Sequence, residues 1–585
     1  MQRRRRLLAW AVGVISALAL LPATARADNP IVQHIYTADP APMVHNGRMY
    51  VYSGRDEDGS TTFTMREWRV FSSADMVNWT DHGVPMNLGT FAWADANAWA
   101  GHVIARNSKF YWYVPVRRRG GGMAIGVGVS DSPTGPFRDA LGRPLVENGE
   151  IDPHAFIDDN GDAYLYWGNP NLWYVRLNAD MISFSGSATN IPLTTAGFGT
   201  RTGHATRTTL YEEAPWVYKR NGLYYMIFAA QCCSEFIAYS TAPGPTGPWT
   251  YRGTVMPTQG SSFTNHPGIV DYKGGSYFVY HNGALPGGSG YTRSVAIEKF
   301  TYNSDGTIPR MTMTAGPGPA DTLNPYVRQE AETIAWGSGI ETEPSAEGGM
   351  NIGSLHNGDY TKVRNVAFGT GASSFTARVA SATSGGTIEV RLGSATGTVV
   401  GRCTVPATGG WQTWRSVTCP VSGASGNQDV FLRYTGGSGF LFNVDWWQFA
   451  TGGAPGDVTS RLRGVGSNRC VDVENASTAP GTTVLLWDCG TAANQQWTST
   501  ASGEFRVFGD RCLDAYNSGT ANGTRVVIWS CNGQDNQKWT SGPDGSIRNV
   551  RAGLCLDADG AATANGTRLI LWTCNGQDNQ KWNRA

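Results

Sequence analysis

The stretch YEEAPWVYKRNGLYYMIFAA, Tyr211 to Ala230, sets Glu212 and Glu213 at the head of an apolar run, turns at Asn221-Gly222 and returns through an aromatic-rich strand. An Asn-Gly pair between two such runs signals a tight β-hairpin, because both turn positions require a left-handed backbone. The same unit recurs along the chain. Turns at Asn46-Gly47, Asn107-Ser108, Asn160-Gly161 and Lys273-Gly274 are followed by RMYVYSG, KFYWYVPV, DAYLYWG and SYFVYHNG, at intervals of 52 to 61 residues. That interval is the length of a four-stranded blade with its loops, so the five copies predict a five-bladed β-propeller over residues 28–320. Outer segments SSADMVNWTDHG, SDSPTGPFRDALG and STAPGPTGPWTYRG fall at matching places in three of those blades.

Seven or eight residues upstream of the turns stand Asp39-Pro40, Trp99, Asp152-Pro153, Glu213 with Pro215, and His266-Pro267. Each opens the first strand of its blade. First strands line a propeller's channel and begin at the same end, so Asp39, Asp152, Glu213 and His266 are expected on the rim of one funnel. Alternation along the strand sends Glu212 to the other side. Several carboxyls on one channel, with no Ser/His nucleophile motif, point to hydrolysis of a glycosidic bond, which needs an acid and a base. A buried carboxyl beside aromatic rings and like charges keeps its proton; one in a wetter position stays ionised.

Composition agrees with a neutral partner. The 585 residues carry 46 Lys+Arg against 46 Asp+Glu, which argues against nucleic acid and anionic membrane, and 21 Trp, 23 Tyr and 21 Phe supply rings on which sugar faces stack. The opening MQRRRR, the apolar run Leu7 to Leu21 and the Ala-x-Ala before Asp28 read as a secretory signal peptide over residues 1–27, with an exported, disulfide-permissive chain after it. No later run is long and apolar enough to span a bilayer. The expected mature protein is a secreted monomer acting on a neutral plant cell-wall polysaccharide.

From residue 458 to 585 the chain repeats itself three times, with CVDVENASTAPGTTVLLWDCGTAANQQW, CLDAYNSGTANGTRVVIWSCNGQDNQKW and CLDADGAATANGTRLILWTCNGQDNQKW beginning at Cys470, Cys512 and Cys555. The internal spacing predicts the bridges Cys470–Cys489, Cys512–Cys531 and Cys555–Cys574, and lacks the short Cys-x-x-Cys knuckle of common zinc sites. Units this short cannot bury an apolar face alone, so the three copies should close on a shared core plugged by Trp497, Trp539 and Trp582. The segment resembles the ricin-type β-trefoil carbohydrate-binding module (family 13 type). That resemblance implies sugar contacts from Asp472, Asp514 and Asp557, from Asn494, Asn536 and Asn579, and from the stacking rings Trp487, Trp529 and Trp572.

Between these parts, residues 325–450 alternate in period two between Gly-rich turns, as in SSFTARVAS and GTIEVRLGS, which reads as a β-sandwich clipped by Cys403–Cys419. With ETIAWGSGIETE near its start and GFLFNVDWWQF at its end, it is similar to carbohydrate-binding modules of the family 6 type. By that likeness Tyr360 and Trp411 clamp a sugar with Asn443, or else serve as sheet-face core residues. Glu330, Glu332 and Asp445 would suit a structural calcium ion.

YTADPAPMVHNGRMYVYSG, DPHAFIDDNGDAYLYWG and EAPWVYKRNGLYY identify the N-terminal part as resembling glycoside hydrolase family 43, in its arabinoxylan arabinofuranohydrolase branch. The resemblance implies an inverting mechanism with Asp39 as general base, Glu213 as general acid and Asp152 as the residue that orients the acid and raises its pKa. It also places His266 near a bound metal, often calcium, and Arg293 against substrate. No cofactor is required for the chemistry itself. Trp93, Asn97 and Trp99 either shape the next subsite or pack the blade, and Gly101 stands where the family more often has proline. Adjacent Cys232 and Cys233 are either a vicinal disulfide or two thiols. The activity implied is removal of α-L-arabinofuranosyl units from arabinoxylan or arabinan, with β-xylosidase, exo-β-1,3-galactanase and a non-catalytic polysaccharide-binding protein as the alternatives.

Overall fold

The computed structural model describes residues 29–451, 458–500, 503–542 and 544–584; the expected signal peptide lies outside them. Its repeated hairpins form where the turn chemistry placed them. Inner strands Tyr36–His45, His102–Arg106, Tyr211–Arg220 and Gly268–Tyr272 each turn through two left-handed residues into an antiparallel partner. Asn46 and Gly47, for example, sit at φ 47° and 71°. The inner strand His154–Ile157 uses a longer turn closed by the Asp158 N–H on the Asp162 carbonyl at 2.8 Å.

Side chains bind neighbouring inner strands into a ring. The Ala155 N–H donates to His102 Nδ1 at 3.1 Å, His154 Nε2 meets the Val217 carbonyl at 2.8 Å, and Trp216 Nε1 donates to the Ile269 carbonyl at 3.2 Å. Where the fifth inner strand meets the first, a Cβ on Gly268 would lie 2.4 Å from Pro42, so only glycine permits that approach.

The blades are not uniform. The third and fourth sheets have four strands as expected, but the fifth has three, Gly268–Tyr272, Gly275–Asn282 and Ser294–Phe300. Its outer edge is supplied by the N-terminal segment, where the Ile31 N–H donates to the Val295 carbonyl at 2.9 Å. This pairs the beginning of the described chain with the last blade and covers an edge that would otherwise stay open. The first sheet gains the strand Thr333–Ile334 from beyond the propeller, paired with Trp79–Asp81. Thr80 and Thr333 hydroxyls meet at 2.8 Å, and Asn78 exchanges two hydrogen bonds with the backbone of Arg364. Residues following the propeller are therefore bonded onto its first blade rather than hung from a free linker.

Two compact units result, one holding residues 29–367, 376–419 and 426–448, the other 368–375, 420–425 and the described residues from 449 onward. In the first, the strands Trp336–Ser338, Tyr360–Ala367, Asn427–Thr435, Gly386–Leu392 and Thr398–Val405 form one sheet of the sandwich. The second unit carries the three repeats, whose Trp497, Trp539 and Trp582 are buried in one core with Leu486, Ile528 and Leu571. Each indole N–H donates to a strand carbonyl, of Val471, Leu513 and Leu556, at 2.9, 3.0 and 3.1 Å, so their polar edges are satisfied inside the core. All the bridges expected from spacing are formed: Cys403–Cys419, Cys470–Cys489, Cys512–Cys531 and Cys555–Cys574. Cys232 and Cys233 are bridged to each other. No helix of the described residues is long and apolar enough to cross a membrane.

Candidate active site

Asp39, Asp152 and Glu213, together with His266 and Arg293, line one cavity of about 280 Å³ at the mouth of the propeller channel. A local backbone device aims each acid. Asp39 and Asp152 precede prolines yet adopt φ 54° and 59°, and Ala214, which precedes Pro215, adopts φ 56°. Left-handed, pre-proline, non-glycine residues are unfavourable, and such conformations concentrate at functional sites. Glu213 thus stands one residue ahead of the position that Asp39 and Asp152 occupy. Register shifts on both sides of it make up the difference, so a β-bulge, rather than simple alternation, turns Glu213 into the cavity. Glu212 goes the other way, onto Arg201 at 2.8 Å and Arg207 at 2.6 Å.

The electrostatics of the acids differ sharply. Burial alone would raise the Asp39 carboxyl, but the Arg293 guanidinium, bonded to its Oδ1 at 2.8 Å, together with the neighbouring His281 and His266 outweighs that and holds it well below the usual carboxylate range. Arg293 is itself fixed by Asp56, to which its Nε and Nη2 donate at 3.0 and 2.9 Å. The Asp39 N–H donates to His281 Nδ1 at 3.1 Å, which leaves Nε2 as the protonated nitrogen, donating to the Thr264 carbonyl at 3.0 Å. Burial, reinforced by the negative charge of Asp39, pushes Glu213 up to about 7, against the pull of the Asn169 amide that donates to its Oε2. Asp152, bonded by the Ala214 N–H at 3.1 Å, is raised well above the ordinary value by burial and then by Glu213 and Asp39. Burial first, then the charge of Asp39 working the other way, leaves His266 lowered to about 4, so its ring is neutral at neutral pH.

Sequence reasoning missed four contributors. Asp56 and His281 hold the Arg293–Asp39 pair from behind, Asn169 bonds Glu213, and buried Glu235 lines the cavity with Oε2 on the Asn265 N–H at 2.7 Å and Oε1 unpartnered. None sits at a strand entry or within a motif that marks it in the sequence. Of the aromatic candidates, Trp99 lines both this cavity and an adjoining groove of about 640 Å³ that also contains Asn97. Trp93 is blade packing: its ring packs tilted against Phe91 and its N–H donates to Asp139 at 2.9 Å. The departure at Gly101 has a cause, since a Cβ there would lie 2.6 Å from the Tyr113 carbonyl.

In the first trefoil repeat, Asp472, Trp487 and Asn494 line a hollow of about 550 Å³. Cys470 faces Trp487 across the ladder and Asp472 lies two residues along, so ring and carboxylate share a face. The other repeats copy this pairing with Trp529 and Trp572. Asn494, Asn536 and Asn579 donate to Asp472, Asp514 and Asp557 at 2.8, 2.9 and 2.8 Å; so do Gln495, Gln537 and Gln580, which the sequence reading passed over. In the sandwich, Tyr360 and Trp411 stand on opposite sheets. Asn443 spends its amide N–H groups on Glu343 at 2.6 Å and the Trp411 carbonyl at 3.0 Å, leaving its oxygen.

Among the described residues no group of three or more His, Cys, Asp or Glu is gathered as a metal would require. Glu330 is instead engaged by Arg328 at 2.8 Å, and the same guanidinium reaches Asp445 Oδ2 at 3.4 Å, while Glu332 Oε2 and Asp445 Oδ1 are buried without a partner.

One carboxyl kept protonated near neutrality and another kept ionised, in one sugar-sized cavity of a five-bladed propeller, are the two groups that a glycoside hydrolase needs. Comparison with known proteins agrees. Residues 27–308 match the model of glycosyl hydrolases family 43, residues 330–451 that of carbohydrate binding module family 6, and residues 458–582 that of the ricin-type β-trefoil lectin domain. The arabinoxylan arabinofuranohydrolase of Bacillus subtilis (strain 168) is 39% identical over 495 residues, covering 72% of this chain and 92% of that protein. That of Paenibacillus polymyxa is 37% identical over 498 residues, 73% of this chain and 75% of its own. A crystal structure of a family 43 arabinoxylan arabinofuranohydrolase from Bacillus subtilis in complex with cellotetraose superimposes with a TM-score of 0.64 at 36% identity, over 72% of this chain and 97% of that one. The chain belongs to glycosyl hydrolases family 43.

Proposed function

We propose that this glycosidase removes α-L-arabinofuranosyl groups from arabinoxylan or arabinan with inversion of configuration. In this reading Glu213, protonated, donates its proton to the departing glycosidic oxygen. Asp39, ionised, takes a proton from the water that attacks the anomeric carbon from the other side, and Asp152 orients Glu213 and sustains its pKa. The observation that carries the reading is the split between Asp39, held low by Arg293, and Glu213, raised to about 7, in one cavity. Two relatives that match most of the chain are both arabinoxylan arabinofuranohydrolases, which supports this substrate.

The protein works outside the cell as a monomer, divided into a catalytic domain over 28–320, a sandwich module over 325–450 and a trefoil module over 458–585. The two modules hold it on the polymer and raise the local concentration of substrate. A calcium ion in the sandwich would be held by Glu332 and Asp445, whose unpartnered buried oxygens suit a hard cation, and would supply rigidity rather than chemistry. The test is release of arabinose from arabinoxylan by the purified protein and its loss in Glu213→Gln. Release of xylose or galactose instead, from aryl xyloside or β-1,3-galactan, would reassign the substrate. Absence of turnover on every glycan would leave only a polysaccharide-binding protein.

A further inference from the structure

The Cys232–Cys233 pair lies where the proposed chemistry gives it nothing to do, on the wall of the catalytic cavity beside Glu213. Its loop is fixed from both sides by one buried ion pair. Glu212 Oε2 accepts the Cys232 N–H at 3.1 Å, and Arg201, bonded to that same carboxylate at 2.8 Å, donates through Nη2 to the Cys232 carbonyl at 2.9 Å. Glu212 and Glu213 therefore divide the work of one strand end, the first pinning the disulfide and the second entering the cavity. The flanking residue Glu235 is tied by its N–H to the Phe263 carbonyl at 2.9 Å, so the loop is anchored downstream as well.

A sugar presents hydroxyls at its rim and C–H groups on its faces, and its pocket needs polar groups for the first and apolar surface for the second. Here Asp39, Asp152, Asn169 and Arg293 supply polarity, and Phe63, Trp99 and Phe263 supply rings. A disulfide has no strong hydrogen-bond donor to compete for hydroxyls, its sulfurs are polarizable, and its bridged side chains have little rotamer freedom to lose when a ligand seats.

We propose that the Cys232–Cys233 disulfide is a specificity-determining contact of the sugar subsite, an apolar wall against which the C–H face of the bound furanose rests. This rests on the arabinofuranosidase reading. The test has two arms on the full chain. In the first, a Cys232→Ser/Cys233→Ser variant is assayed on aryl α-L-arabinofuranoside, where KM should rise about three- to ten-fold, as for loss of one packed sulfur contact, with the pH profile of kcat unmoved. In the second, which needs no variant, wild-type protein is treated with a phosphine reductant and an alkylating agent, with and without arabinose. Bound arabinose should slow alkylation of Cys232 and Cys233 at least about three-fold, leaving Cys403 and Cys419 unaffected, as read by mass spectrometry of peptides. Unchanged KM together with no protection overturns the proposal; if the variant fails to fold, the protection arm alone decides. Failure of the functional reading would look different, as no turnover of the arabinofuranoside by wild-type protein.

Discussion

Arg293 Nη1 donates to Asp39 Oδ1 at 2.8 Å across 254 residues of sequence, while its other edge grips Asp56. The fork of a guanidinium can span two carboxylates in this way; an ammonium cannot. Arg293→Lys should therefore keep the charge and lose the geometry. Asp39 would be held low less firmly, so the acid limb of kcat/KM moves to higher pH and kcat falls on the order of 10²-fold. A pH–rate series on an aryl glycoside checks both.

Glu213 sets the opposite limb. Activity should decline as pH rises through about 7, where Glu213 loses its proton, while the Asp39 limb lies far to the acid side. Glu213→Gln should lower kcat roughly 10²- to 10⁴-fold. The same shift bears on stability with a definite sign. Because the folded state raises this pKa above its ordinary value of 4.5, folding binds the proton more tightly, and that stabilisation is present at low pH and lost between 4.5 and about 7. The Gln variant, which never ionises, should match wild type at pH 4 and melt roughly 2–4 °C higher at pH 8 by calorimetry.

Glu212 should behave unlike its neighbour. It is buried between Arg201 and Arg207, so Glu212→Ala leaves two cations without their partner. Loss of one member of a buried pair costs about 3–5 kcal/mol. Urea denaturation should show the loss in this substitution, whereas Glu213→Ala should chiefly abolish turnover.

Tryptophans of the trefoil divide the same way. Trp487, Trp529 and Trp572 are 48%, 40% and 43% exposed, whereas Trp497 is 1% exposed. Replacing the three exposed rings together by Ala should cut retention on insoluble arabinoxylan at least about tenfold while moving the melting temperature little. Trp497→Ala alone should destabilise the trefoil by about 3–5 kcal/mol. Depletion binding and thermal melts separate the two outcomes.

Local chemistry made the architecture readable. Turn residues such as Asn46-Gly47 announce hairpins because they can adopt a left-handed backbone, and evenly spaced hairpins announce blades. The cysteine spacing of the three repeats specified their bridges for a similar reason: each pair closes a short loop across neighbouring strands. Acids at strand entries were legible because a propeller turns equal positions in successive blades toward one axis. What remained hidden was whatever depends on contacts between blades or on a shift of one residue. Glu213 enters the cavity through a bulge that alternation does not describe, and Asp56, His281 and Glu235 come to the site from second strands and loops that carry no motif. Trp93 and Trp99 look equivalent in the chain, yet one packs against Phe91 and the other lines the cavity.

By itself the sequence determined which segments become hairpins, blades and bridged repeats, since those follow from bonding within tens of residues. Tertiary structure alone decided which carboxyl holds a proton and which gives it up. A pKa depends on burial and on charges a few ångströms away, and here the deciding charge, Arg293, is brought to Asp39 only when the last blade closes on the first.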